Sequence, residues 1–367
     1  MRNRISHGFT IVELLVVVSI IALLVGILLP AIGKARDQAQ LTKSQANIKQ
    51  IGTALVTYSA EYNDRQLTFV NDQLSKYGAN GPTAVTQYNA QTGFEHPPVI
   101  LGYAQVAAGG TIWAYFQPPR GTSGNWVTIV PIDFASLFGS FRFVNARQLN
   151  SYINGRFYDP LFFAPKDSAP MAAVEPALDS PDEFVNIFGG GVLHSSYILS
   201  PAAMFSPDVL SKNKGTDLYY TDPFSLIAGF RSPAYSQVLY PDLKTHVIEH
   251  HWLQNRKATC NRFFAGGEYD GCQPFFFNSS WESNPVMLYY DGHVATSGMR
   301  DAQDACRRVT KQTPDGSGLW SIDTPAAGGY ANFATGGYFQ AAAYDWTAVS
   351  NHIFTLDGAK GRDYISK

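Results

Sequence analysis

Charge is scarce in this chain. Only 15% of its 367 residues are Asp, Glu, Lys or Arg, where about 25% is usual. The 27 basic and 29 acidic residues leave a formal charge of −2. No basic run or patch interrupts that balance, so nothing in the sequence attracts nucleic acid. Cysteine is also rare, at three residues, Cys260, Cys272 and Cys306. No C-x-x-C occurs, which disfavours a zinc ribbon. The nucleophile elbow G-x-S-x-G, the phosphate loop G-x-x-x-x-G-K-[ST] and the H-E-x-x-H metal helix are all missing. The triple glycine Gly189–Gly191 lacks a following Lys-Ser/Thr, so it reads as a turn. The sequence offers no enzyme chemistry.

Apolar and aromatic residues are abundant instead. Aromatics make up 14%, with 20 Tyr and 24 Phe, beside 32 Gly and 21 Pro. That mixture suggests a strand- and loop-rich body with extensive contact surface. Length alone allows two domains.

One stretch dominates the N-terminus. Leu14 to Leu29 is sixteen residues in which Ser19 alone is polar. Extended to Phe9 and Ile32, an α-helix of this length reaches about 36 Å, enough to cross a hydrocarbon core of about 30 Å. Glu13 is its only charge, Arg2 and Arg4 precede it, and Lys34, Arg36 and Asp37 come after it. A secretory signal peptide fits poorly, because the run is long and no A-x-A site follows. A plain anchor helix explains the length but leaves Glu13 as an unexplained cost in lipid. A third reading takes the basic leader Met1–Gly8, its Gly8-Phe9 junction and Glu13, the fifth residue counted from Phe9.

Gly8, Phe9, Thr10, Glu13, Leu14, Leu15 and Pro30 resemble the class III signal of type IV pilins and type II secretion pseudopilins. The resemblance covers about the first 60 residues. It implies a leader over residues 1–8, cut between Gly8 and Phe9 by a prepilin peptidase, with methylation of the new Phe9 amine. It implies a pilin helix over 9–62, its part 9–32 transmembrane or in a filament core, and a globular β-rich head over 63–367. The precursor would be a single-pass inner-membrane protein served by an assembly platform. The assembled form would be a periplasmic or extracellular homopolymer. Phe9, Glu13 and Pro30 are the expected assembly residues, with the Phe9 amine of one subunit meeting Glu13 of the next. Such a pair would set axial register, since a buried unpaired charge is expensive.

The expected fold class is α+β, a long N-terminal helix packed on an antiparallel β-sheet head with large loop insertions. Beyond Pro30, the residues Ile48, Ile51, Leu55, Tyr58 and Tyr62 recur at spacings of 3 and 4, marking one helical face. Asn63-Asp64 ends the helix. Turn signals crowd Arg65 to Asn125, with short strands expected at Val99–Tyr103, Thr111–Phe116 and Trp126–Val130 and a helical turn near Phe134. Phe157–Pro165 reads as an apolar strand bounded by prolines. Asp291-Gly292 is a hairpin signal of type I′ joining Val286–Tyr290 to His293–Ser297.

The block order from 157 to 300 resembles the head of large prepilin-like proteins of the planctomycete type, whose block carries His, nine residues, then Asp-Gly. Asp291-Gly292 matches the end of that block, but Trp281 stands where its histidine belongs. Cys260 and Cys272 flank eleven residues with two glycine turns and are a candidate disulfide, three buried thiols being the alternative. His246, Glu249, His250 and His251 form the one dense histidine cluster. As a helix it would bring two histidines together; as a strand it would pair Glu249 with His251. No cofactor is implied by the sequence. The resemblance allows a calcium ion, and Asp222, Asp270, Asp291, His293 and Asp357 are candidate ligands without an EF-hand loop. The tail from Thr313 is rich in Gly, Ala and aromatics, with Gly328-Gly-Tyr recurring at Gly336; either an edge strand or a subunit contact would use it. The resemblance implies a structural filament subunit, the alternatives being a minor or tip pseudopilin of a secretion or DNA-uptake machine, or a tethered binding module or enzyme.

Overall fold

A computed structural model describes residues 10–67, 87, 90–91, 102–105, 111–115, 141, 144–145, 147–156, 158–178, 195–211, 221, 226, 229, 231–249, 284–320, 352 and 355–366. The chain divides into two compact units, Met1–Lys43 and Ser44–Lys367.

Helix α1 runs Ile11–Glu61 and contains Pro30. Proline removes one backbone donor, and the flanking Leu, Ile and Ala residues carry the helix through it. In the second unit the spacing of 3 and 4 has its effect. Ile48, Ile51 and Leu55 are fully buried and Tyr58 nearly so. Each such side chain contributes about 1.5–3 kcal/mol on burial. Tyr62 departs from the expected face. It is 48% exposed, because the helix has ended, and it stacks on Tyr58 at 4.3 Å. Asn63 and Asp64 both take left-handed conformations, φ 55° and 64°. Asp64 N–H donates to the Ser59 carbonyl at 2.8 Å, the six-to-one closure that caps a helix C-terminus.

The second unit is built on a four-stranded antiparallel sheet. Strands β3 (Tyr197–Leu199), β4 (Thr245–Glu249), β5 (Val286–Tyr289) and β6 (Val294–Thr296) lie in that order. Strands β3, β4 and β5 are buried along their whole length, as strands covered on both faces must be. The 44–61 part of α1 covers one face. Gly52 permits this approach, since a Cβ there would stand 2.6 Å from Leu288 Cδ2. Tyr364, near the C-terminus, donates to Met287 Sδ at 3.4 Å. A separate two-stranded ribbon pairs β1 (Gly102–Gln105) with β2 (Thr111–Tyr115), near two of the expected strands; Trp126–Val130 and the Phe134 turn lie outside the described residues. Helices α2 (Ser168–Leu178) and α3 (Met299–Thr310) complete the longer elements.

Two expectations need correction. Within Phe157–Pro165 the structure has a 3₁₀ turn at Pro160–Phe162 in place of a strand. Asp159 explains it: its carboxylate accepts from Leu161 N at 2.8 Å, and Pro160 presets the first φ. The β5–β6 hairpin is present, but its turn is not type I′. Gly292 N–H donates to the Tyr289 carbonyl and Tyr289 N–H to the His293 carbonyl. Gly292 is left-handed at φ 86° while Asp291 is not. This is a three-residue loop, a type I turn followed by a left-handed glycine.

Candidate functional site

The first candidate site is the start of α1. Thr10 is its N-cap, and Glu13 lies in the first turn. Glu13 N–H donates to Thr10 Oγ1 at 3.2 Å. Glu13 Oε2 in turn accepts from Thr10 N at 2.9 Å and from Thr10 Oγ1 at 2.7 Å. This reciprocal arrangement is a capping box. It satisfies donors that a helix start leaves orphaned and places a negative charge at the positive end of the helix dipole. The pattern Thr-x-x-Glu carries that signal in the sequence. Taken only as an isolated charge in an apolar run, Glu13 conceals it.

Behind the cap the helix is an apolar rod. Ile11 is 82% exposed, and the large apolar residues from Val12 to Ile32 are between 43% and 71% exposed. Among the described residues this is the one helix long and apolar enough to cross a membrane. Its lone hydroxyl, Ser19, donates to the Leu15 carbonyl at 2.8 Å, so the rod's outer surface is almost free of polar demand. A membrane-anchored precursor is consistent with such a rod.

The second candidate is the seam between residues 44–61 of α1 and the sheet. Ser44, fully buried, donates to Glu249 Oε1 at 2.5 Å and hydrogen-bonds Tyr197 Oη at 3.0 Å. Asn47 donates to the Phe163 carbonyl at 3.3 Å, and Lys49 reaches the Gly292 carbonyl in the hairpin turn. Glu249 also accepts from Val286 N. These directional bonds fix rotation and register of the helix segment against β3–β5, which apolar contact alone does not. Glu249 therefore has a structural task.

A buried ion pair ties in the C-terminal segment. Lys244 and Asp363 are both fully buried and meet at 2.9 Å. Lys244 Nζ also donates to Thr355 Oγ1 at 2.7 Å and to Ser200 Oγ at 3.1 Å. Asp363 accepts from Thr245 N and Thr355 Oγ1. The pair is thus hydrogen-bonded on all sides, the condition under which a buried pair is tolerated. Burial first, then the Lys244 charge, pushes His246 and His352 down to about 3. His246 stacks on Tyr290 at 4.2 Å and meets Tyr235 edge-on at 5.4 Å.

The remaining sequence candidates do not gather into one site. Gly8, Phe9, Cys260 and Cys272 lie outside the described residues, as do His250, His251, Asp222, Asp270 and the repeated Gly-Gly-Tyr. Pro30 lies inside α1. Cys306 is buried, and its Sγ accepts from Leu319 N at 3.3 Å. His246 and Glu249 lie on strand β4, the extended form of that cluster and not the helical one. Asp291 and His293 form an exposed pair at 2.6 Å, with His293 stacked on Tyr289, while Asp357 begins a left-handed turn. Among the described residues no three His, Cys, Asp or Glu side chains converge as metal ligands would.

Residues 3–29 match the prokaryotic N-terminal methylation motif. Over 61 residues the chain is 36% identical to the type II secretion system core protein G of Pseudomonas aeruginosa, which covers 17% of this chain and 43% of that protein. Over 126 residues it is 29% identical to the type IV wide pilus major component PilA4 of Thermus thermophilus, covering 33% of this chain and 87% of that protein. The chain thus spans less than half of the first relative. No solved structure matches. Motif and relatives together support identity at the level of pilins and pseudopilins, without choosing between them.

Proposed function

We propose that this protein is a structural subunit of a pilus-like or secretion-pseudopilus filament. It is cut between Gly8 and Phe9 and polymerises through the apolar half of α1. The observation that carries the reading is the continuous exposure of that half from Ile11 to Ile32. Such a surface needs an apolar surround, and lipid and neighbouring copies of the same helix both provide one. The motif over residues 3–29 contains the proposed cut site. The prepilin peptidase, the membrane and an assembly platform are the partners that such a life cycle requires. Before processing, the nitrogen of Phe9 is an amide. Afterwards it is an amine able to carry charge, and Glu13 of an adjacent subunit is its counter-ion. The capping box prepares Glu13 for this role. Oε2 holds both Thr10 bonds, which keeps the other oxygen available to a partner.

Glu13→Ala tests the register. Processing and membrane insertion should persist in the variant, while sedimentable fibres fall by at least about tenfold, as expected for losing one charge-assisted bond per contact. Wild-type yields of fibre would dismiss the Phe9–Glu13 pair.

The size of the head favours a second reading, a minor or tip subunit. A third of this chain spans 87% of the wide-pilus component, so most of the present head has no counterpart there. Quantifying the protein in sheared filaments separates the two. A major subunit dominates the preparation, and a tip subunit is scarce beside another pilin.

A further inference from the structure

We propose that the head carries a binding site for a small oxyanion, a phosphate or carboxylate group, between Arg65 and Arg231. A cavity of about 260 Å³ opens where the chain leaving α1 crosses the segment before the Tyr235–Gln237 turn. Arg65 bridges to Ala234 across that crossing. Arg65, Arg231, Ser206, Ser232 and Gln237 line the cavity with prolines and an alanine, and no carboxylate does.

Three observations point to an anion. First, neither arginine has an acidic partner among the described residues. Arg65 spends one N–H on the Ser232 carbonyl, at 2.8 Å, and the rest of its guanidinium fork is unused. Second, the two guanidinium groups are close enough to disfavour each other. Burial first and the Arg231 charge second lower the pKa of Arg65. Like charges held together without a counter-ion are an unfavourable arrangement that a bound anion relieves. Third, Ser232 is 3% exposed, and its Oγ has no hydrogen-bond partner. A buried hydroxyl without a partner costs stability. A small rotation about its single χ1 presents it to a ligand in the cavity. Two planar guanidinium groups and a hydroxyl suit the oxygens of a phosphate or carboxylate, which arginine binds in a bidentate fork. The seam with α1 and the Lys244–Asp363 pair use none of these side chains, so the inference does not rest on filament assembly.

Titration calorimetry on the detergent-solubilised full chain tests it, with inorganic phosphate and acetate as probes and sodium chloride at matched ionic strength as control. One saturable site should appear for at least one probe. Preference for phosphate identifies a phosphate-type ligand, and preference for acetate a carboxylate. Arg231→Gln, at an exposed position, should weaken that binding by about tenfold or more, and Ser232→Ala should weaken it by less. No saturable binding of either probe would overturn the site. So would unchanged binding in both variants.

Discussion

The two halves of α1 share one backbone and differ in what surrounds them. From Ile11 to Ile32 the apolar side chains are exposed all round the helix. From Ser44 to Glu61 the buried apolar side chains lie on one face. Between them the polar groups Ser44, Asn47 and Lys49 make directed bonds to the head. The second half carries its own partner within the chain. The first half has an equally demanding surface that stays exposed, and in the proposed function lipid or neighbouring copies cover it. The contrast also explains the different use of polar groups. In the second half they specify one docking of helix on sheet. In the first they are nearly eliminated, which leaves a surface that lipid or a neighbouring helix can cover without loss.

The sharpest way to break the comparison is to charge the first half. Leu24→Arg places a cation at the centre of the rod, where insertion costs about 2.5–3.5 kcal/mol per copy. The expected result is loss of sedimentable filament and of membrane retention, with the melting temperature of the head unchanged. A lowered head melting temperature would show that the halves are not separable.

The converse change is Lys244→Met. It leaves Asp363 buried without its counter-ion and should destabilise the head by about 3–5 kcal/mol, read as a drop in denaturation midpoint. Membrane retention through the first half should survive. Adding Asp363→Leu should recover most of the loss, because replacing a whole buried pair is far milder than breaking one.

A graded effect comes from acid. His246 and His352 are held neutral in the folded head, their pKa values pushed from 6.5 down to about 3. Between those values the unfolded chain binds protons that the folded head does not. Stability is therefore full above about pH 6.5 and falls as the pH drops toward 3, by up to about 1.4 kcal/mol per pH unit for each histidine. Denaturation midpoints across that range measure the slope, and His246→Phe should reduce it. The first half has no such groups, so membrane retention should not share this profile.

Much of the fold was legible in the sequence, for physical reasons that also mark where reading stops. The periodic positions Ile48, Ile51 and Leu55 declare a helix face, and their burial follows directly. Asp291-Gly292 declares a hairpin, but not its turn type. That depends on whether one residue or two adopts positive φ, and either glycine geometry fits the same pair of letters. Asp159-Pro160 overrode the apolar run around it, since a side-chain cap and a preset φ favour a tight turn over extension. Lys244 and Asp363 lie 119 residues apart in sequence, and no local pattern joins them. Thr10 and Glu13 did carry a local signal. As a lone charge in an apolar run Glu13 is a liability, and its bonds to Thr10 at the helix's own start are what the structure adds.

The central claim is that the exposed half of α1 exchanges lipid for copies of itself once the leader is gone. Intact mass and N-terminal sequencing of sheared surface filaments test it most directly. The predicted result is a subunit starting at Phe9 with one methyl on its amine. Assembled fibres whose subunits still begin at Met1 would contradict it.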